Sequence, residues 1–353
     1  MTAVGEELRS RVDAALKAFL AERRSTLVEI DPALASVAEA LEAFVLGGGK
    51  RLRPAFGYWA YRGCGGVDSA ELIAALSSLE LLHAGALIHD DVMDASDTRR
   101  GEPAVHRRFA TAHRQAGWAG DSAAFGSSAA ILLGDLCLVW SDQLFATSGL
   151  PPERLAAARP YFDAMRTEVM AGQYLDVLAQ ARRDTTTEQA SKVAQFKSAK
   201  YTVERPLLVG GALAGATSQQ LAAFTQYGIR VGEAFQLRDD ILGVYGDPTE
   251  TGKPSGGDLR EGKRTYLVAA AMDAGDATQR ATLTTLLGDP DLDESGVRTL
   301  QAIIRDTGAL SRTEQRIASL TAQALEALEA AELAETAHQA LRDLATAAAH
   351  RVT

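Results

Sequence analysis

Thiols and aromatic rings are scarce in this chain. Only two cysteines, Cys64 and Cys137, occur in 353 residues, far apart and each in apolar surroundings, and 6% of the residues are aromatic. Two such cysteines exclude a disulfide framework and a zinc site built on closely spaced thiolates. We expect both to be small buried side chains in a protein of a reducing compartment.

Positive charge is also in deficit. The chain has 36 Lys and Arg against 46 Asp and Glu, a net charge of −10. This balance excludes a general nucleic-acid binder, which presents a basic face. The basic residues that stand out are local: Lys50, Arg51 and Arg53 in one segment, Arg99 and Arg100 in another. An acidic protein that binds a polyanion has to concentrate its positive charge in one pocket.

Long apolar runs, β-strand alternation, repeats and Pro/Ser-rich linkers are missing too. The longest uncharged apolar stretch, around Leu207–Ala216, is shorter than the roughly 20 residues that span a bilayer, and the amphipathic, charged N-terminus is not a signal peptide. Alanine and leucine, which favour helices, abound in a chain that is 46% hydrophobic. We therefore expect a single all-α domain over residues 1–353, soluble and cytoplasmic, without stable membrane insertion.

Apolar residues recur at helical spacing in several segments. We predict a helix start near Asp68, where Glu71 completes a capping-box pattern, and this helix runs into a cluster of aspartates. The segment from Gly101 to Gly126 is polar and predicts a loop or short irregular helices. The other predicted helices are 6–24, 32–46, Ala129–Phe145 as a buried helix, Met165–Ala179 and Gln219–Val244.

The first acidic cluster lies in the segment HAGALIHDDVMDASDTRRG, residues 83–101. Asp90 and Asp94 are four apart, so on a helix their carboxylates share one face, about 5–6 Å apart at Cβ. Hard oxygen ligands of this kind suit Mg²⁺, which shares its remaining positions with water and substrate phosphates. Arg99 and Arg100 follow at once and offer fork-shaped donors to the same phosphates. A solvated helix end of mixed charge is the alternative.

A second acidic cluster closes the helix predicted over Gln219–Val244. Asp239 and Asp240 end an apolar helical run, Lys253 follows in a Gly/Pro loop, and Lys263 comes soon after. Two acidic helix ends of this kind, facing each other across a cleft, make a multi-metal diphosphate site.

These residues resemble the trans-isoprenyl diphosphate synthases (polyprenyl synthetases), especially the bacterial geranylgeranyl diphosphate synthases. Asp90–Asp94 is similar to the first aspartate-rich motif of that family and Asp239–Gly243 to the second, and the resemblance covers roughly residues 40–270. It implies helices around a deep central cavity, Mg²⁺ as cofactor, a homodimer without nucleic-acid partners, and condensation of isopentenyl diphosphate with an allylic diphosphate (dimethylallyl, geranyl or farnesyl).

The resemblance also implies roles for individual residues. The metal ligands are Asp90, Asp94 and Asp239, with Asp91 and Asp240 in water-mediated contacts. The isopentenyl diphosphate site comprises Lys50, Arg53, His83 and Arg100. The allylic diphosphate site comprises Arg99, Lys197, Ser198, Gln236 and Lys253; of these, Arg99 and Lys197 take part in catalysis with the aspartates.

One position departs from the commonest family pattern. Residue 243 is glycine where many members carry the third aspartate of the second motif. The first aspartate of that motif is the family's main ligand, so we expect the reaction to survive, with Asp247 or Asp258 in water-mediated contacts to the metal.

Product length in the family depends on what blocks the apolar tunnel below the first motif. Gly85 and Ala86 are tiny, where members that stop at farnesyl carry bulky aromatics. The floor is then deeper, at Leu82 or Leu79, one helical turn of about 5.4 Å corresponding to roughly one isoprene unit. This favours a geranylgeranyl product; farnesyl or longer products are the alternatives, and ordinary core packing is an equal explanation of the leucines.

Two other classes of protein share parts of this pattern. A class I terpene cyclase has the first motif and Mg²⁺ but needs no second diphosphate site, so the cations at 50–53 argue against it. A non-catalytic helical subunit that modulates a partner synthase usually lacks one motif or the cation set, and both are present here.

Overall fold

The computed structural model describes residues 3–182, 185–246 and 256–349, and within these ranges the chain is almost entirely helical. The all-α prediction is confirmed. The chain divides into two compact units, one of Met1–Arg159 with Val209–Gly215 and one of Pro160–Leu208 with Ala216–Thr353. A single domain over residues 1–353 remains a prediction.

The first unit contains six complete helices and one small hairpin within the described residues. The helices are α1 (Ala3–Ile30), α2 (Ala35–Leu46), α3 (Leu52–Gly63), α4 (Ala70–Met93), α5 (Val105–Ala116) and α6 (Ser122–Ala146), with a short 3₁₀ turn at Pro32–Leu34. The hairpin pairs β1 (Thr98–Arg99) with β2 (Glu102–Pro103). In this unit α4 packs against α3 and α6, and α5 packs against α6.

Two helices, α7 (Pro152–Arg182) and α9 (Arg205–Ala214), contribute residues to both units. A π-helix, Ala194–Glu204, connects α8 to α9. The other helices of the second unit are α8 (Thr187–Val193), α10 (Ser218–Tyr245), α11 (Gly257–Arg260), α12 (Tyr266–Ala274), α13 (Ala277–Leu286), α14 (Glu294–Asp306), α15 (Ala309–Glu329) and α16 (Glu335–Ala349).

Helix α10 is the centre of the second unit. It contacts the π-helix, α15 and α16. Its apolar face joins a core of fully buried side chains from α10 to α14: Leu237, Val244, Leu259, Leu267, Leu283, Leu300 and Ile304. The C-terminal half of α10 is thereby packed into the core of the second unit.

The start of α4 differs from the prediction by one residue. Ser69, not Asp68, is the N-cap, and its hydroxyl accepts a hydrogen bond from the Leu72 amide at 3.2 Å. Asp68 is instead engaged by both terminal nitrogens of Arg11, each at 2.8 Å. An ion pair with a residue 57 positions away cannot be read from the capping pattern.

The polar segment between Gly101 and Gly126 contains a regular helix, α5, so the loop interpretation was wrong for most of it. Val105, Phe109 and His113 recur every four residues and are buried, which is the helical signal that the polar composition masked. Helix α5 ends at Gly117, whose left-handed φ of 64° closes the helix.

Helix α6 contains the predicted segment Ala129–Phe145 but is buried on one face only. Leu132 and Val139 are 63% and 62% exposed, and Ile131 is exposed too. Among the described residues, α4 and α6 are long and apolar enough to span a membrane by length and composition alone, which corrects the expectation that no segment passes this test. That test is weak support for insertion, since buried core helices such as α4 pass it as well.

Candidate active site

The first aspartate motif (Asp90–Asp94) lies at the C-terminal end of α4 and is organised by Arg99. Asp91 is completely buried, and Arg99 Nε donates to its Oδ1 at 2.9 Å. A terminal nitrogen of Arg99 also lies 3.4 Å from Asp90 Oδ2. Burial raises the pKa of Asp91, and the guanidinium opposes that shift. Asp91 thus anchors Arg99, while Asp90 and Asp94, the latter at the helix C-cap, stay at the partly exposed end.

A tight turn delivers Arg99 to this position. The two-residue loop of the hairpin, Arg100 and Gly101, has φ values of 55° and 79°, the left-handed pair required by a type I′ turn. The turn sends the two neighbouring arginines to different places. Arg99 reaches the aspartates, whereas Arg100 Nη1 donates to the carbonyl of Gly48 at 3.1 Å.

Arg100 therefore lies beside the glycine turn that precedes α3. Arg53 and His83 lie near Arg100. Burial and, after it, the charges of Arg53 and Arg100 hold the pKa of His83 well below its ordinary value. Burial and the adjacent Arg51 likewise lower the pKa of Arg100. The structure thus brings three of the four predicted isopentenyl-site residues into one strongly positive region. The fourth, Lys50, is an exposed residue of the same turn.

Arg51 is a structural residue of this region. It adopts a left-handed φ of 50° and is buried, and its guanidinium donates to Asp13 at 2.7 Å, Glu80 at 2.9 Å and the Val45 carbonyl at 2.8 Å. These bonds commit its donors to protein groups and fix the turn between α2 and α3.

The predicted chain-length residues lie on α4. A Cβ atom on Gly85 would lie 2.9 Å from the Gly134 carbonyl oxygen and 3.1 Å from Leu138 Cδ2, so position 85 packs against α6. Leu82 is fully buried and Ala86 is partly buried. A larger side chain at 85 would meet α6, and the role of Gly85, Ala86 and Leu82 in product length remains a prediction.

The second aspartate motif (Asp239–Gly243) lies near the end of α10. Asp240 is buried, and the Gln236 amide donates to its Oδ1 at 2.8 Å, so the predicted allylic-site residue Gln236 braces the motif. Burial, together with the negative charges of Asp258, Asp239 and Asp176, raises the pKa of Asp240 to about 8, against the opposing hydrogen bond from Gln236.

Gly243 makes room for a carboxylate from another helix. A Cβ at this position would lie 2.0 Å from Oδ2 and 2.4 Å from Cγ of Asp258, on α11. Lys263 Nζ is 3.9 Å from Oδ1 of the same residue. Of the two aspartates predicted to make water-mediated contacts to the metal, Asp258 thus lies against the motif. Asp247 lies outside the described residues, as does the predicted allylic-site Lys253.

Lys197 and Ser198 lie on the π-helix, which the sequence analysis did not predict. Lys197 Nζ donates to Asp176 Oδ2 on α7 at 2.7 Å, and Ser198 is buried. π-Helical segments are rare in proteins and are frequently found at functional sites. Glycines at 172, 228 and 232, each with its missing Cβ against this segment, were the available signal.

Within residues 3–182, 185–246 and 256–349, no three or more His, Cys, Asp or Glu side chains form a ready metal cage. Mg²⁺ rarely needs one, because it binds through one or two carboxylates and completes its shell with water and phosphate oxygens. The carboxylates of Asp90, Asp94 and Asp239 and the space that Gly243 leaves for Asp258 fit that donor chemistry.

Three comparisons agree on the relationship of this chain. The family model described as Polyprenyl synthetase matches residues 35–304. A geranylfarnesyl diphosphate synthase of Aeropyrum pernix is 33% identical over 273 residues, which are 76% of this chain and 79% of that protein. A nonaprenyl diphosphate synthase of Mycobacterium tuberculosis is 31% identical over 278 residues, 78% and 76% of the two chains.

Solved structures extend the match to nearly the whole chain. A geranylgeranyl pyrophosphate synthase from Corynebacterium glutamicum, complexed with isoprenyl diphosphate and magnesium, is 38% identical, covers 98% of both chains and superposes with a TM-score of 0.93. The family is Mg²⁺-dependent in general. With these matches and both aspartate motifs in place, the chain belongs to the polyprenyl synthetase family and is a trans-prenyltransferase.

Proposed function

We propose that this enzyme condenses isopentenyl diphosphate with an allylic diphosphate and makes geranylgeranyl diphosphate. The observation that supports it best is the divergence of Arg99 and Arg100 at the hairpin turn. One guanidinium joins the first aspartate motif, and the other joins the cluster of Arg53 and His83. Two anion sites in one unit suit a reaction of two diphosphates, whereas a terpene cyclase uses one.

In the proposed reaction the bond between C1 and oxygen of the allylic substrate breaks, and its electron pair leaves with the diphosphate. The isopentenyl double bond forms the new carbon–carbon bond at C1, and the released diphosphate takes the proton then lost. Asp90, Asp94 and Asp239 would hold Mg²⁺, which supplies positive charge to the departing diphosphate as a Lewis acid. The same diphosphate would be bound or braced by Arg99, Lys197, Ser198, Gln236 and Lys253. The arginine and the lysines would place positive charge where negative charge develops as the bond breaks.

The isopentenyl diphosphate would be held by Lys50, Arg53, His83 and Arg100. Burial and the nearby arginines hold the pKa of His83 well below its ordinary value, so its imidazole is neutral at pH 7 before the substrate binds. The charge that attracts this substrate comes from the lysine and the two arginines, which is apt for a protein of net charge −10.

The geranylgeranyl product is the finer part of the proposal. Relatives of this chain make geranylfarnesyl, geranylgeranyl and nonaprenyl diphosphates according to their names, so family membership leaves the length open. The proposal rests on small residues at 85 and 86 followed by fully buried Leu82 and Leu79. If Leu82 is the floor, Leu82→Ala will lengthen the products.

A homodimer in the cytoplasm completes the proposal. The apolar face of α6 with Leu132 and Val139 is exposed, and a second copy of the chain would cover it. Leu132→Glu should then halve the sedimenting mass, while Glu188→Gln, a change on exposed α8, should leave it unchanged. A wild-type monomer at micromolar concentration would contradict this part.

The test of the reaction is an incubation with labelled isopentenyl diphosphate, Mg²⁺ and each of dimethylallyl, geranyl and farnesyl diphosphate in turn. The products are dephosphorylated and sized by chromatography. A single geranylgeranyl product supports both the reaction and its length assignment, and farnesyl or longer products contradict the length assignment. No product with any primer, while diphosphate still binds, would favour a modulating subunit of a partner synthase.

A further inference from the structure

One face of α7 carries three residues that meet the π-helix. Glu168, Gly172 and Asp176 are spaced by four and therefore share a side of the helix. Glu168 accepts from Lys200 Nζ at 2.8 Å, and Asp176 accepts from Lys197 Nζ at 2.7 Å. Between them, a Cβ on Gly172 would lie 2.3 Å from the backbone nitrogen of Lys197, so the two backbones are in direct contact.

A second stripe, on α10, supports the π-helix in the same way. A Cβ on Gly228 would lie 2.6 Å from Glu204 Cα, and one on Gly232 would lie 2.5 Å from Ala199 Cα. Continuing by four along α10 come Gln236 and Asp240, which are joined by a hydrogen bond. Glycines thus hold the π-helix between α7 and α10, and its backbone has little room to shift.

The two lysines of this segment pair with different carboxylates of α7. Lys200 contacts Glu168 at 2.8 Å and Glu204 at 3.4 Å, and Arg205 Nε donates to the same Glu168 at 2.7 Å, so this lysine is part of a network. Lys197 forms its short ion pair with Asp176, and both side chains remain partly exposed at 25% and 13%.

Asp176 interacts with both Lys197 and the second aspartate motif. It accepts from Lys197, and its negative charge is also one of those felt by the buried carboxyl of Asp240 in the second aspartate motif. A divalent cation held at Asp239 would attract Asp176, and the hold of Asp176 on the lysine would weaken. A diphosphate arriving with the cation would offer Lys197 new oxygen acceptors.

We propose that Asp176 is an exchange partner for Lys197: it holds the lysine ammonium while the site is empty and releases it to the allylic diphosphate when diphosphate and divalent cation bind together. The inference rests on the proposed function. It makes Asp176 a positioning residue, and it couples the capture of diphosphate by Lys197 to the presence of the cation. Because the backbone of the π-helix is packed against glycines of α7 and α10, only the side chains of Asp176 and Lys197 move in the exchange.

The experiment is calorimetric titration of inorganic pyrophosphate into wild type and Asp176→Asn, with EDTA and again with Mg²⁺. Because the amide no longer competes for Lys197, the variant should bind pyrophosphate about threefold to tenfold more tightly in EDTA, the range expected for a partly exposed ion pair. The factor by which Mg²⁺ strengthens pyrophosphate binding should fall by a similar amount. Binding at the Arg53 and Arg100 cluster cancels in the comparison, since no variant alters it.

Two further variants keep the result interpretable. Glu168→Gln removes the partner of Lys200 on the same helix and should leave pyrophosphate affinity within about twofold under both conditions. Asp176→Glu retains the carboxylate and should restore most of the Mg²⁺ effect. Circular dichroism checks that each variant keeps wild-type helicity.

Equal affinities for wild type and Asp176→Asn in both buffers would overturn the exchange, and so would a loss of affinity of equal size with and without Mg²⁺, which marks a merely structural residue. Failure of the proposed function looks different. In that case the wild-type enzyme makes no prenyl product with any primer, and its pyrophosphate binding does not respond to Mg²⁺.

Discussion

The two aspartate motifs look alike in sequence but solve the problem of a buried carboxylate in opposite ways. In the first, Asp91 is buried against the guanidinium of Arg99, a full positive charge from a hairpin eight residues along the chain. In the second, the hydrogen bond to buried Asp240 comes from the neutral amide of Gln236, and three more carboxylates raise its pKa. At Asp91 the counter-charge is an arginine of the protein, whereas the carboxylates around Asp240 would be stabilised further by a bound cation.

The carboxylates of the two motifs are therefore stabilised by different partners. A carboxylate paired with arginine is stabilised by the protein itself, whereas clustered carboxylates become favourable once a divalent cation is present. Folding stability should therefore depend on the counter-ion at the first motif, and ligand binding should depend on the cation at the second.

The largest effect should come from Asp239→Asn. Loss of a proposed metal ligand removes charge stabilisation of the leaving group, so kcat should fall on the order of 10²–10³-fold. The melting temperature in EDTA should not fall, because the substitution removes one carboxylate from a cluster of like charge. The measurement pairs steady-state kinetics with a thermal melt.

Asp273→Asn, an exposed aspartate at the end of α12, is the matched control and should keep wild-type kinetics. If Asp239→Asn retains more than a tenth of the activity, the second motif does not supply the principal ligand and the contrast between the motifs fails.

Next in size is Arg99→Met, read as stability. It leaves Asp91 buried without its counter-ion, which typically costs about 3–5 kcal/mol. Gln236→Ala, the matched change at the second motif, removes a neutral hydrogen bond and should cost about 1–2 kcal/mol. Urea unfolding in EDTA measures both. Equal losses would show that the first motif is no more dependent on its counter-charge than the second.

A pH series separates the motifs further through Asp240→Asn. The carboxyl has a pKa of about 8 when folded and about 4 when unfolded, so it favours the unfolded state increasingly as pH rises between these values. Below pH 4 both states are protonated and the asparagine gains nothing. The variant should therefore melt above wild type at pH 8.5 in EDTA, by at least about 2 °C, and the gap should shrink toward pH 5.

Asp273→Asn should give no such trend. Parallel melting curves of wild type and Asp240→Asn across the pH range would mean that Asp240 is ionised without cost in the folded protein, against the contrast drawn between the motifs.

Much of this site could be predicted from local spacing. Asp90, Asp94 and Asp239 lie near the ends of long apolar helices, and Arg99 and Arg100 follow the first motif within six residues, so short-range pattern predicted the helices that carry the aspartates. What escaped prediction depends on distant partners. Asp68 pairs with Arg11 and does not cap the helix, and Arg51 pairs with Asp13 and Glu80. The π-helix packs against glycines of two other helices.

The smallest expected effects come from substitutions at positions 243 and 258 of the second motif. Since the Cβ of Gly243→Ala would lie 2.0 Å from Asp258 Oδ2, the aspartate has to rotate away. Only the end of a short side chain moves, and alanine favours the helix over glycine by about 1 kcal/mol, so the free energy of unfolding should change by no more than about 1 kcal/mol. Mg²⁺-dependent binding of pyrophosphate should nevertheless weaken several-fold, because the carboxylate has left its place. Calorimetry in EDTA and in Mg²⁺ separates the two effects.

The double variant Gly243→Asp with Asp258→Gly decides what that place is for. It returns a carboxylate to the helix position used by many relatives and removes the one that reaches in from α11, so the total charge is unchanged. Recovery of the Mg²⁺ effect in the double variant, with loss in Gly243→Ala, means that the second motif needs a third carboxylate at this point in space, whichever helix supplies it. If the double variant binds as poorly as Gly243→Ala, Asp258 acts through α11 and its contact with Lys263 instead, and the second motif works with two aspartates.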